Sequence, residues 1–248
     1  MESGALMVTG AGRGIGSRVA VQGARAGMPV AIIYLSRTED AERTLEEVKA
    51  VGGKGIIIKA DVSVESDVAA AFAKVDETFG GVRALVNNAA TNGGRATIHE
   101  LRVEQLDLVF RTNVYGSFFC AREAARRMST KHGGAGGVIV NISSGAAKMG
   151  SAGVWVHYAS SKAAVETMSL GLARELATEG IRVNVVRCGV IDTEVHQGHG
   201  EDRLRTLLAQ VPMQRMGKPD EIASAVMWMI SSEASYVTGA ALDVSGGL

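Results

Sequence analysis

Tyr158 and Lys162 stand four residues apart in Tyr158-Ala159-Ser160-Ser161-Lys162, at the opening of a helical pattern. That spacing stacks both side chains on one helix face. A free tyrosine, with a pKa of about 10, is a poor base at neutral pH, and a neighbouring ammonium would favour its phenolate. Such a tyrosine can give a proton to a carbonyl oxygen as hydride arrives, or take one in the reverse direction. Ser144 closes the run Asn141-Ile142-Ser143-Ser144-Gly145. Its hydroxyl can donate a hydrogen bond to the same oxygen. As a plain turn serine it would only close the strand, and the same holds for Ser143.

A hydride needs a carrier, and the other end of the chain offers a site for one. Thr9-Gly10-Ala11-Gly12-Arg13-Gly14-Ile15-Gly16 follows directly on the apolar run Ala5-Leu6-Met7-Val8. A strand that runs through glycines into a helix leaves N–H groups unpaired at the helix start, where the positive end of the dipole favours a pyrophosphate. Glycine admits positive φ and close backbone approach. The spacing is T-G-x-x-x-G-x-G rather than G-x-G-x-x-G, and without a ligand it is a tight strand-to-helix turn. The acidic residue that would hold the ribose 2′-hydroxyl of NAD is expected about 20 residues on. Here Ile33-Tyr34-Leu35-Ser36-Arg37-Thr38 has no carboxylate before Glu39. Ser36 with Arg13 and Arg37 would instead suit a 2′-phosphate, since guanidinium matches phosphate oxygens as a fork. NADP is therefore expected over NAD, with Arg37 as a solvated helix-start residue the alternative.

The elements that must position these groups alternate along the chain. Strands are expected at Leu6–Val8, Val30–Tyr34, Gly55–Ile58, Ala84–Val86, Gly137–Ile142, Ile181–Val186 and Ala241–Val244. Their near-continuous apolar runs fit parallel strands buried on both faces. Helical spacing covers Ile15–Ala26, Glu39–Val51, Val64–Phe79, Glu104–Lys131, Val156–Glu179 and Asp220–Ile230. This alternation predicts one α/β domain over residues 1–248, a doubly wound parallel sheet in three layers, with ligands at the strand C-terminal ends. Basic and acidic residues number 26 each, so no global field attracts nucleic acid or anionic membrane. Cys120 and Cys188 form neither a disulfide framework nor a metal spacing. Together with a first strand close to Met1 and no membrane-length apolar stretch, they lead to the expectation of a cytoplasmic protein.

The whole chain resembles the short-chain dehydrogenase/reductase superfamily. The resemblance rests on an ordered set: Thr9-Gly10 to Gly16, Asp61-Val62, Asn87-Asn88-Ala89, Asn113, Ser144, Tyr158-x-x-x-Lys162, Thr193, Thr238-Gly239 and Gly246-Gly247. It is nearest the branch of 3-oxoacyl-carrier-protein reductases, glucose dehydrogenases and carbonyl reductases. The resemblance implies a Rossmann fold and interconversion of a ketone and a secondary alcohol, with Tyr158 as acid/base and Ser144 on the substrate oxygen. Lys162 would bond the nicotinamide ribose and lower the tyrosine pKa, while Asn113 would anchor a proton-relaying water. Gly10, Gly14, Ile15 and Gly16 would hold the pyrophosphate side. Asp61 and Val62 would bracket the adenine, and Asn88 with Ala89 would meet the adenosine ribose. Val190, Ile191 and Thr193 would bind the carboxamide edge. No metal is implied, and a homotetramer is common.

Three departures stand out. Cys188-Gly189 replaces the usual Pro-Gly, Ala90 replaces a frequent glycine, and the segment between Ser144 and Tyr158 is one residue longer than in the acyl-carrier reductases. The last weakens a fatty-acid assignment. A lid is expected around residues 194–211, with His196 and His199 in it as lid residues rather than metal ligands. Trp155 and His157 are candidates for substrate contact. Arg122, Arg126 and Arg127 are expected on a solvated or subunit-facing surface. The end segments 225–230 and 244–248 suit burial between subunits. The rival to an enzyme is a dinucleotide-binding redox sensor, which would have no use for Asn113, Ser144, Tyr158 and Lys162 together.

Overall fold

The computed structural model describes residues 4–194 and 201–248. Seven parallel strands form one sheet in the order β3-β2-β1-β4-β5-β6-β7. They are β1 (Ala5–Thr9), β2 (Val30–Tyr34), β3 (Gly55–Lys59), β4 (Val82–Asn87), β5 (Gly137–Ser144), β6 (Ile181–Cys188) and β7 (Ala241–Val244). The strand order reverses between β1 and β4, which opens a crevice at their C-terminal ends.

Alternation along each strand sends side chains to two separate layers. Leu6 and Val8 face one side with Val30, Ile32 and Val86, packing on α1 (Gly14–Arg25), α2 (Thr38–Ala50) and α9 (Pro219–Ile230). Met7, Ile33, Leu85 and Ile139 face the other side, against α3 (Glu65–Phe79), α5 (Gly116–Met128) and α7 (Val156–Leu176). Shorter helices among the described residues include α4 (Val103–Phe110), α6 (Ala146–Met149) and α8 (Glu201–Leu208). The sheet is the expected doubly wound one. Burial on both faces, expected for every strand, holds for β1 and β2 but not at the edges, where β3 is half-exposed and β7 mostly exposed.

The long helix expected over Glu104–Lys131 is broken. A π turn at Arg111–Tyr115 separates α4 from α5, and α5 ends at Met128. Periodicity cannot show one extra residue in a turn, and such bulges concentrate at functional positions. This one carries Asn113.

Candidate active site

α7 brings Tyr158 and Lys162 beneath the end of β5, where Ser144 is the last residue. Lys162 is buried and its Nζ donates to the Ile142 carbonyl at 2.8 Å, 5.9 Å from the centre of the Tyr158 ring. Ser144 hydrogen-bonds Tyr158, and its Oγ accepts from the Ala146 amide at 3.2 Å. Burial pushes the phenol up to about 12, against the pull of the Ser144 hydrogen bond. Burial also drops the Lys162 ammonium to about 8, although Glu166 nearby favours its charge. In the protein alone desolvation dominates both groups, disfavouring phenolate and ammonium alike.

Asn113 sits behind this trio. Its Nδ2 donates to the Thr91 carbonyl and to Ser161 Oγ, both at 2.9 Å, and its Oδ1 accepts from the Thr91 amide. Ser161 Oγ donates in turn to the Tyr158 carbonyl at 2.7 Å. The π turn thus fixes the loop after β4 to the first turn of α7. The side chain is committed to these partners, so the relay implied by the resemblance would have to use the Asn113 main-chain carbonyl, which already accepts from Ser117 Oγ at 2.7 Å.

The trio opens into a cavity of about 840 Å³ along the strand ends. Gly10, Arg13, Gly14, Ile15, Ser36, Arg37, Asp61, Val62, Asn88, Ala89, Val190, Ile191 and Thr193 line the same cavity. Gly16 and Asn113 stand behind its wall. Gly10 and Gly14 hold φ of 62° and 57°, which glycine adopts at little cost. At Gly16 a Cβ would lie 2.6 Å from both Asn88 Nδ2 and the Gly10 carbonyl, so internal packing demands that glycine. Asn88 turns its amide inward, onto the carbonyls of Thr9 and Gly10 at 2.9 and 3.0 Å. It props the loop. The first turn of α1 has neither a side-chain cap nor an acidic residue. Uncapped N–H groups at a cavity wall fit a pyrophosphate, and the cavity is long enough to join that loop to Tyr158.

At the adenosine end, Arg37 caps α2 in the left-handed region, φ 57° and ψ 69°. That conformation costs a non-glycine residue about 1–2 kcal/mol. Its guanidinium donates to Glu194 Oε2 at 2.9 Å and lies 3.7 Å from Asp40. Arg13 donates to the same Glu194 oxygen. Asp61 Oδ1 accepts from the Ser63 amide and hydroxyl.

The other residues singled out in the sequence take varied places. Trp155 lines the cavity, but His157 is buried behind it with Nε2 on the Asn92 carbonyl at 2.9 Å. Cys188 lines the cavity as a buried thiol, and burial pushes it up to about 12, far from a reactive thiolate. Arg127 is half-buried rather than freely solvated: it bonds Asp76 at 2.7 Å and Glu123 at 2.6 Å and lies over the Phe72 ring. Arg126 pairs with Glu123 and Arg122 with Glu65. In the segment 225–230 Val226 and Met229 pack inside their own chain, while Trp228 is exposed. His196 and His199 lie outside the described residues.

Ser143 is more than a turn serine. It donates to Glu166 at 2.6 Å, and Arg187 grips the same carboxylate at 2.9 and 2.7 Å while bonding Asp243 at 2.6 Å. Burial raises the Glu166 carboxyl, yet the Arg187 and Ser143 hydrogen bonds hold it below its ordinary value. This network under Lys162 was missed in the sequence. Its signals were Glu166, one turn beyond Lys162, and a guanidinium inside an apolar strand run.

Among known proteins, the family described as "Enoyl-(Acyl carrier protein) reductase" matches residues 10–248. The uncharacterized oxidoreductase YgfF of Escherichia coli is 43% identical over 97% of this chain and 98% of its own length. Glucose 1-dehydrogenase 2 of Bacillus subtilis is 38% identical, covering 98% and 93%. The 3-oxoacyl-[acyl-carrier-protein] reductase FabG of Staphylococcus aureus is 35% identical, covering 98% and 96%. A short-chain dehydrogenase/reductase from Serratia marcescens superposes with a TM-score of 0.92 at 34% identity, over 98% of this chain and 97% of that one. The chain belongs to the short-chain dehydrogenase/reductase superfamily. It is an oxidoreductase of that family, near the branch of FabG and the glucose dehydrogenases.

Proposed function

We propose that this chain interconverts a ketone and a secondary alcohol using NADP(H), with Tyr158 as the acid/base. The observation that carries this reading is one cavity shared by the glycine loop and by Ser144, Tyr158 and Lys162. When bound, the nicotinamide supplies or takes the hydride. Ser144 Oγ donates a hydrogen bond to the substrate oxygen, and Tyr158 gives that oxygen its proton. A phenol pushed up to about 12 holds its proton at neutral pH, which is the state reduction requires. Lys162, held by the Ile142 carbonyl, would bond the ribose. Asn113 is a positioning residue, acting through Ser161 and Thr91.

Arg13, Ser36 and Arg37 support NADP over NAD, because they bring two cations and a hydroxyl to the adenosine end of the cavity. Leu108, Thr112, Met149, Trp155 and Leu207 give part of the cavity lining an uncharged, largely apolar character. They favour an uncharged carbonyl compound with an apolar body. The names of two relatives specify glucose and 3-oxoacyl-[acyl-carrier-protein], so sugars and β-ketoacyl thioesters belong beside simple ketones in the trial panel. Exposed Phe118 on α5, Leu170 on α7, Trp228 on α9 and Leu242 on β7 support a homotetramer. Two reduced cysteines accord with a cytoplasmic setting.

The test is NADPH and NADH binding followed by turnover over the panel. Arg37→Ala should weaken NADPH by roughly tenfold, the size of one lost charge-assisted hydrogen bond, and leave NADH unchanged. Equal effects on the two would remove the basis for the NADP assignment.

A further inference from the structure

Glu194 follows Thr193 in the chain, yet its carboxylate sits among the arginines at the far end of the cavity. One oxygen, Oε2, accepts hydrogen bonds from both Arg13 and Arg37. Thr193 lies against the glycine loop, its Cγ2 placed 3.5 Å from where a Gly14 Cβ would be. The Glu194 side chain therefore reaches from beside the glycine loop to the arginines. Asp40, on the opposite wall, is engaged by Arg43 and approached by Arg37 at 3.7 Å. Three guanidiniums thus face two carboxylates, and the oxygen shared by Arg13 and Arg37 comes from a segment outside the βαβ unit that supplies those arginines.

We propose that Glu194 is an internal competitor for the adenosine 2′-phosphate, and so a specificity-determining residue of the cofactor site. This rests on the assignment of Arg13 and Arg37 to that phosphate. The two guanidiniums attract any anion with planar or trigonal oxygens. In the ligand-free protein the nearest such anion is the carboxylate of Glu194. A 2′-phosphomonoester must displace that carboxylate to reach the arginines. A ribose bearing only hydroxyls leaves it in place on the two arginines. Glu194 accordingly narrows the margin between the two dinucleotides by weakening the phosphorylated one. The pairs are solvent-exposed, so the penalty is small and tunable rather than prohibitive.

The test separates the phosphate from the rest of the cofactor by using adenosine 2′,5′-bisphosphate and AMP as probes in calorimetric titrations. Glu194→Gln keeps the size of the side chain and removes its charge. It should bind the bisphosphate about three- to tenfold tighter, the range expected for releasing two exposed ion pairs. AMP affinity should not change, and adding Arg37→Ala should erase the gain. An unchanged or weaker bisphosphate affinity in Glu194→Gln overturns the proposal. If Arg37→Ala alone still weakens the bisphosphate in that event, the 2′-phosphate assignment stands without Glu194. If wild type binds bisphosphate and AMP equally and Arg37→Ala alters neither, the assignment falls and takes the competitor with it.

Discussion

Tyr158 and Lys162 show how far a spacing can be read. Their proximity follows from four intervening helical steps, but their protonation follows from burial, which no short motif encodes. The lysine, lowered from 10.5 to about 8, has a consequence for stability. The unfolded chain keeps the lysine proton to higher pH than the folded protein does, so this group contributes stability that rises through that window. The difference in unfolding free energy between wild type and Lys162→Met should therefore grow from about pH 8 to about pH 10. A flat difference across that range would show the ammonium to be no more desolvated than in the unfolded chain. Arg187, Glu166 and Ser143 left only scattered signals, because they meet from three separate elements.

Among elements, the glycine loop and the π turn carry most of the site's geometry. The loop was legible from glycines after a strand, while the reason for Gly16 lay in Asn88, which arrives from the end of β4. Gly16→Ala drives a Cβ into that amide and the Gly10 carbonyl. It should cost about 1–3 kcal/mol of stability, read from denaturant unfolding, and weaken dinucleotide binding with it. The π turn was invisible because the apolar spacing on either side continues as one helix. Asn113→Ala strands the Thr91 amide and carbonyl, which calls for a loss of about 1–3 kcal/mol. It should also lower kcat more than it raises KM, since Tyr158 loses its brace through Ser161. A change confined to KM would place Asn113 outside the positioning of the catalytic tyrosine.

For the whole molecule, alternating strands and helices were enough to anticipate the doubly wound sheet, since parallel strands must be joined by crossovers and right-handed crossovers leave few topologies. What alternation could not give was the traffic across the sheet edge. Glu194 meets Arg37 across 157 residues, and Asp243 meets Arg187 across 56. Such contacts depend on how loops leave the strand ends, which local patterns leave open. The proposed reaction stands on the Tyr158 proton. The most direct test is NADPH oxidation with a reducible ketone by wild type and Tyr158→Phe, with NADPH binding measured on the same preparations. The account predicts retained binding and a fall in turnover of about 10²–10⁴-fold, the range for a lost general acid. Undiminished turnover in Tyr158→Phe would contradict it.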